Sequence, residues 1–200
     1  MKKVFIAALY MLVAISIPVL QVHAASGPTE QLMPTLDKLL LIISDSSLMG
    51  EENKKVRRDK IMATISERFD FQEMSKKVLG RTWNDIDAEQ REYFAQLMTK
   101  LLENNYIGQL ENYSGKKVEY VGERIKKNKA QVSTLIENNG AKYPVHYILS
   151  RNSEEWMVYD INIEGVSLVR NYRAEFKSII RSEKYEGLVK ILEEKNKSFE

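Results

Sequence analysis

The spacing of apolar residues divides the chain into two unlike halves. From about residue 30 to 112 the apolar positions recur at helical intervals. Leu32, Leu36, Leu39, Leu40 and Ile43 form one stripe, ended by the polar residues 44–47 and Gly50. A second helix from about Glu51 carries Ile61, Met62, Ile65 and Phe69 on one face. Asp70 and Glu73 have the spacing of a capping box, which predicts a short helix stopped at Gly80. Phe71, Met74 and Val78 line its inner face. Asp87 with Gln90 opens the longest helix, where Phe94, Leu97, Met98, Leu101 and Leu102 make a broad apolar stripe.

After Gly115 the period falls to 2. Strands are predicted over residues 117–125, 130–138, 142–150 and 155–163. Asn138-Asn139-Gly140 and Arg151-Asn152-Ser153 read as hairpin turns, so the sheet is an antiparallel meander. In the third strand Tyr143, Val145, Tyr147 and Leu149 alternate with Ile148. In the fourth, Trp156 and Val158 alternate with Met157, Tyr159, Ile161 and Ile163. Apolar side chains on both faces imply cover on both sides. Gly165 ends the sheet; helices over about 166–181 and from Tyr185 onward follow. The predicted fold is α+β: a helical N-terminal half, a four-stranded antiparallel sheet, and C-terminal helices packed back on it. The sheet and these last helices occupy about 115–195.

Residues 1–24 break from this pattern. Lys2 and Lys3 precede an unbroken apolar run over 4–13 that extends to Leu20, and Val22-His23-Ala24 follows. That order of charge, apolar core and small residue reads as a secretory signal peptide cut after Ala24 or Ala25. Residues 25–200 then remain as a single domain. The whole chain has 30 bases and 28 acids, a formal charge of +2. Lys2 and Lys3 account for that excess, so residues 25–200 are formally neutral. A nucleic-acid partner, which calls for a concentrated basic face, is not expected.

Candidate chemistry is sparse. The absence of cysteine from the sequence excludes a disulfide staple, a thiolate metal site, a cysteine nucleophile and a lipid-bearing N-terminal cysteine. No Gly-x-Ser-x-Gly elbow, Gly-rich phosphate loop or His-Glu-x-x-His occurs. His146 is the one histidine beyond residue 24, and Asp160 on the next strand is its nearest candidate partner. A small-ligand enzyme of a cone-shaped α+β fold is the alternative these two support, provided both point inward together. The basic pairs Lys54-Lys55, Arg57-Arg58, Lys116-Lys117 and Lys126-Lys127 could contact anionic headgroups or a partner, but each is flanked by acids or turn residues and reads first as a solvated face. Ten Tyr exceed what a core needs, and a phenol suits the mouth of an apolar cavity, with one dry end and one wet.

Several motifs then agree in order and spacing with a known family. They are Arg68-Phe69-Asp70-Phe71 with Met74, Leu79-Gly80 and Trp83, and Gln90-Arg91 with Phe94, Leu101-Leu102 and Tyr106. Residues 156–161 (Trp-Met-Val-Tyr-Asp-Ile), 164–168 (Glu-Gly-Val-Ser-Leu) and Asn171-Tyr172-Arg173 complete the set. Over about 30–195 the chain resembles the MlaC family, also called toluene-tolerance auxiliary proteins. The resemblance implies a periplasmic phospholipid-binding shuttle serving an ABC-type lipid transport system that maintains outer-membrane lipid asymmetry. It implies no enzymatic activity and no cofactor, with phospholipid as cargo. The implied partners are an inner-membrane ABC complex bearing a lipid-binding ring and an outer-membrane lipoprotein–porin complex, met by a monomeric carrier.

A pocket between sheet and helices, as the resemblance implies, would draw its lipid-binding walls from three places. Met74 and Trp83 are expected from the short helix and its exit; Phe94, Leu97, Met98 and Leu101 from the long helix. Val145, Tyr147, Trp156, Val158, Val166, Leu168 and Tyr172 are expected from the sheet and the helix after it. Gly165 would turn the chain and Ser167 cap that helix. Arg173 would pair with Asp160 or Glu164, or meet a phosphate.

Overall fold

The computed structural model describes residues 26–111, 113, 117–138 and 140–199. The expected signal peptide and its cleavage site, Gly115, and Asn139 of the expected hairpin turn lie outside these residues. Helices come first: α1 (Pro28–Ser44), α2 (Lys54–Ser66), α3 (Phe71–Leu79), α4 (Thr82–Asp85) and α5 (Ala88–Glu111). A sheet follows, with β1 (Val118–Lys126), β2 (Lys129–Asn138), β3 (Ala141–Asn152), β4 (Glu155–Ile163) and β5 (Val166–Ser167). The last element is α6 (Leu168–Lys197), bent at Lys184, where φ is 63°.

The helix ends form as their polar residues dictate. The Asp70 side chain accepts from the Glu73 N–H at 2.8 Å and starts α3. Asp87 and Gln90 close a reciprocal pair of bonds, at 2.8 and 3.0 Å, ahead of α5. Gly80 ends α3 at φ 62°, a left-handed conformation that costs glycine little. Ser167 caps α6 by accepting from the Arg170 N–H at 3.0 Å.

The sheet is an antiparallel meander in the order β1-β2-β3-β4-β5. Among the described residues it has five strands, not the expected four. Val166 and Ser167 pair with Ile163 and Asn162 before the helix begins. The turn at Glu164-Gly165, both at positive φ, folds the chain straight back, so the segment pairs once before turning helical.

The face pattern of β4 also departs from simple alternation. Leu149 opposes Val158 whereas Ile148 opposes Asp160, leaving Tyr159 as an extra, bulged residue. A one-residue insertion flips every side chain after it. Trp156, Val158, Ile161 and Ile163 therefore share one face, instead of splitting between two. On β3 the same face carries Val145, Tyr147 and Leu149. The opposite face holds Ser133, His146, Ile148 and Asp160.

Two apolar clusters hold the fold. One joins α3, α4, α5 and α6 around Phe94, Phe176, Met98, Leu101 and Leu188, all 2% exposed or less. The other packs α1 and Ile61 of α2 against the inner face of the sheet, around Leu32, Val132, Leu149 and Val158. Gln31 of α1 ties these layers, its Oε1 accepting from the Trp156 N–H at 2.8 Å. Between α2 and α3, Arg68 and Asp70 hydrogen-bond to both backbone groups of Val158 and strap the Phe69–Phe71 segment to β4.

Asp160 locks the sheet to α6. Its buried carboxylate accepts from the Ser167 hydroxyl at 2.6 Å and from the Val169 N–H at 3.0 Å. Charge-assisted bonds to a buried acceptor are the stronger kind. Asp160→Ala is expected to cost about 2–3 kcal/mol of unfolding free energy, measurable by urea titration. A loss below half a kcal/mol would show the lock to be idle.

Candidate functional site

The inner face of the sheet does not close completely on the helices. Between β2, β3 and β4 on one side and α2 and α5 on the other runs an apolar cavity of about 190 Å³. Its sheet wall is Ile136, Val145, Tyr147, Ile161 and Ile163. The helical wall is Met62 and Ile65 of α2 with Leu102, Glu103, Tyr106, Ile107, Gln109 and Leu110 of α5. Phe69, Phe71, Met74 and Leu168 complete the lining. Apart from Glu103 and Gln109, every lining side chain is aliphatic or aromatic.

Local sequence explains why the cavity sits here. At 100° per residue, α5 turns Phe94, Met98 and Leu101 toward one side and Leu102, Tyr106 and Leu110 toward another. The first set packs solidly with α3 and α6; the second faces the sheet. The strapped segment places Phe69 edge-on to Tyr147, with ring centroids 6.5 Å apart, and Phe71 beside it at 6.4 Å. All three rings line the cavity. Burial raises the ionisation of the Tyr147 phenol far above its ordinary value, so this wall stays neutral. The polar groups lie on α5: Glu103 is held by Lys100 at 3.2 Å, and Gln109 is exposed.

Four of the residues expected at a pocket wall line this cavity: Met74, Val145, Tyr147 and Leu168. The others are placed elsewhere. Trp83, Phe94, Met98, Leu101 and Tyr172 are buried in the α3–α4–α5–α6 cluster, with Leu97 half-buried against it. Tyr172 donates no void either; its hydroxyl accepts from Asn105 at 2.9 Å. Trp156 and Val158 pack in the cluster under α1. Val166, in β5, is 57% exposed. The lining residues outside the sequence expectation are Met62, Ile65, Phe69 and Phe71, then Leu102, Glu103, Tyr106, Ile107, Gln109 and Leu110 of α5, and Ile136, Ile161 and Ile163 of the sheet. The polar Asp160 inside an apolar strand was the available sign that the alternation of β4 resets.

The alternative acid–base pair does not assemble. His146 opposes Asn162, and its Nδ1 lies 3.0 Å from the Ser133 hydroxyl. It lies on the sheet face opposite Val145 and Tyr147, and Asp160 is occupied by Ser167 and Val169. Arg173 pairs with neither Asp160 nor Glu164; its guanidinium lies against Gly80. Among the described residues no three His, Asp or Glu side chains are grouped to hold a metal, and no helix is long and apolar enough to cross a membrane.

Comparison with known proteins gives this cavity a context. The chain is 24% identical over 172 residues to the intermembrane phospholipid transport system binding protein MlaC of Haemophilus influenzae. That alignment covers 83% of this chain and 80% of the relative. The fold is similar to that of a phospholipid-binding protein from Ralstonia solanacearum, solved in complex with a phospholipid. The two share a TM-score of 0.79 and 28% identity over 87% of this chain and 99% of the other. The family model of the MlaC protein matches residues 34–194, from within α1 to the last turn of α6, and the chain belongs to the MlaC family.

Proposed function

We propose that residues 25–200, freed of a signal peptide, form a single-domain periplasmic carrier that holds phospholipid acyl chains in the α2–α5–sheet cavity. The carrier exchanges its cargo between an inner-membrane ABC complex with a lipid-binding ring and an outer-membrane lipoprotein–porin complex. It acts as a monomer, without catalysis or a resident cofactor. The observation that carries this reading is the cavity itself, dry-walled on both sides in a fold similar to one solved with a phospholipid bound.

The energetics favour such a site. Each methylene withdrawn from water is worth roughly 0.8 kcal/mol, so one chain of about 16 carbons is worth about 12 kcal/mol. A free lipid therefore crosses water too rarely to be useful. A cavity lined by aliphatic and aromatic side chains matches the bilayer interior, which makes transfer nearly thermoneutral. Direction must then come from the energy-driven partner. Glu103 and Gln109 provide polar points beside the apolar lining at which a headgroup can stay wet.

Denaturing mass spectrometry of protein purified from membranes tests the reading. Phospholipid is expected near one molecule per chain, and protein stripped of lipid should reload from liposomes. Clean protein that takes up nothing from liposomes would overturn it in favour of a solid-cored interaction protein.

A further inference from the structure

The formal neutrality of residues 25–200 conceals a local separation of charge. On α6, Arg170, Arg173, Lys177 and Arg181 are exposed and fall within about an 80° arc of the helix. Glu175, between them in sequence, points roughly the opposite way. Arg81, just past the end of α3, adds a further cation beside Arg173 and Lys177. Together with Thr82, these three surround a cleft of about 450 Å³ whose floor is Val78, Leu79 and Ile180.

Three features distinguish this cleft from an ordinary solvated face. No carboxylate among the described residues lines it. Among the described residues, none of Arg81, Arg173 and Lys177 forms an ion pair. Arg173 is also held in place: a methyl group at Gly80 would lie 3.0, 3.3 and 3.4 Å from its Nη2, Cζ and Nε. The guanidinium therefore packs against the left-handed turn at Gly80, where a side chain would displace it. Two guanidinium forks and an ammonium in a concave site suit a tetrahedral oxyanion of charge −1 or −2 better than a lone carboxylate.

We propose that this cleft between the α3–α4 turn and α6 is a phosphate-binding site, separate from the apolar cavity. The phosphate is that of a membrane lipid headgroup or a free phosphate anion. Met74 lines the cavity and Val78 the cleft, one helical turn apart on α3, with the solid α3–α6 packing between. An acyl chain in the cavity leaves the cleft untouched, so a loaded carrier can still engage an anion there. The site does not depend on what the cavity holds.

Vesicle sedimentation and NMR separate the two sources. The purified protein is expected to sediment with phosphatidylglycerol vesicles, weakening as salt rises, and far less with phosphatidylcholine vesicles. The Arg81→Gln/Arg173→Gln/Lys177→Gln variant should bind the anionic vesicles about 100-fold more weakly, since each cation near such a surface contributes roughly fivefold. Inorganic phosphate should shift the side-chain N–H resonances of Arg81 and Arg173 in the wild type. Phosphate shifts without vesicle binding support the site and assign it to the free anion. Equal weakening by Arg170→Gln/Arg181→Gln, outside the cleft, would overturn it in favour of diffuse charge. Unchanged vesicle binding in the triple variant, with no phosphate shifts, would overturn it outright. Cavity loading should survive in the triple variant, and its loss from a folded variant would overturn the separateness of the two sites. Should Arg173→Gln unfold the protein, Arg81→Gln/Lys177→Gln serves, with about 25-fold weakening expected.

Discussion

Val145→Asp is expected to abolish phospholipid loading. Val145 lies in the middle strand of the sheet, 6% exposed, opposite Ile163 and next along its face to Tyr147. Every sheet residue that shares the cavity wall with it is apolar. A carboxylate placed there meets no lining cation among the described residues and shares the space with acyl methylenes. Burying an unpaired charge costs several kcal/mol, so affinity should fall by a hundredfold or more. The measurement is lipid per protein after incubation with liposomes, with circular dichroism as the check on folding. Full loading of a folded Val145→Asp protein would remove Val145 from the binding wall. If the variant does not fold, Ile163→Asp on the half-buried end of the same wall keeps the test open. There the carboxylate can reach water, and a roughly tenfold loss is expected.

How much of this could be read beforehand differs between the two halves of the site. Most helices, the capping residues Asp70, Asp87 and Ser167, and the meander followed from local rules, because caps and periodicity act over a few residues. The short α4 did not, and Phe69, expected on the second helix, lies past its end at Ser66 and bridges to Val158. Placing the cavity demanded long-range information. On α5 two adjoining apolar faces merge into one broad band; the face of Phe94, Met98 and Leu101 fills a core, while that of Leu102, Tyr106 and Leu110 borders a void. No hydrophobicity pattern distinguishes those faces, since both are apolar and both are turned from water. What separates them is the neighbour: α6 closes over Phe94, whereas the sheet stands back from Tyr106. In β4 the failure had a specific cause. The bulge at Tyr159 moved Ile161 and Ile163 onto the face of Trp156 and Val158, and only Asp160 hinted at the reset. Val166 has a different cause: expected at the start of the helix after the sheet, it lies instead in the short fifth strand and is exposed.

That distinction between filled and hollow regions makes opposite demands on two neighbouring faces of one helix. Phe94→Ala is expected to destabilise the protein strongly while leaving lipid loading intact. The ring is fully buried, edge-on to Phe176 at 6.2 Å and tilted against Tyr185 at 6.3 Å. Removing it takes away its transfer free energy and both aromatic contacts, and leaves a hole that α3 and α6 can only partly fill. Such truncations cost about 3–5 kcal/mol, which for a chain of this size lowers the melting temperature by roughly 10 °C. The cavity walls are other residues, so the folded fraction at low temperature should still carry one phospholipid. A variant of nearly unchanged stability that no longer loads would place Phe94 in the lipid site and show the cluster around it to be hollow. An unstable variant that still loads would place the carrier's rigidity in the α3–α5–α6 packing. Its capacity would then belong to the gap between α5 and the sheet.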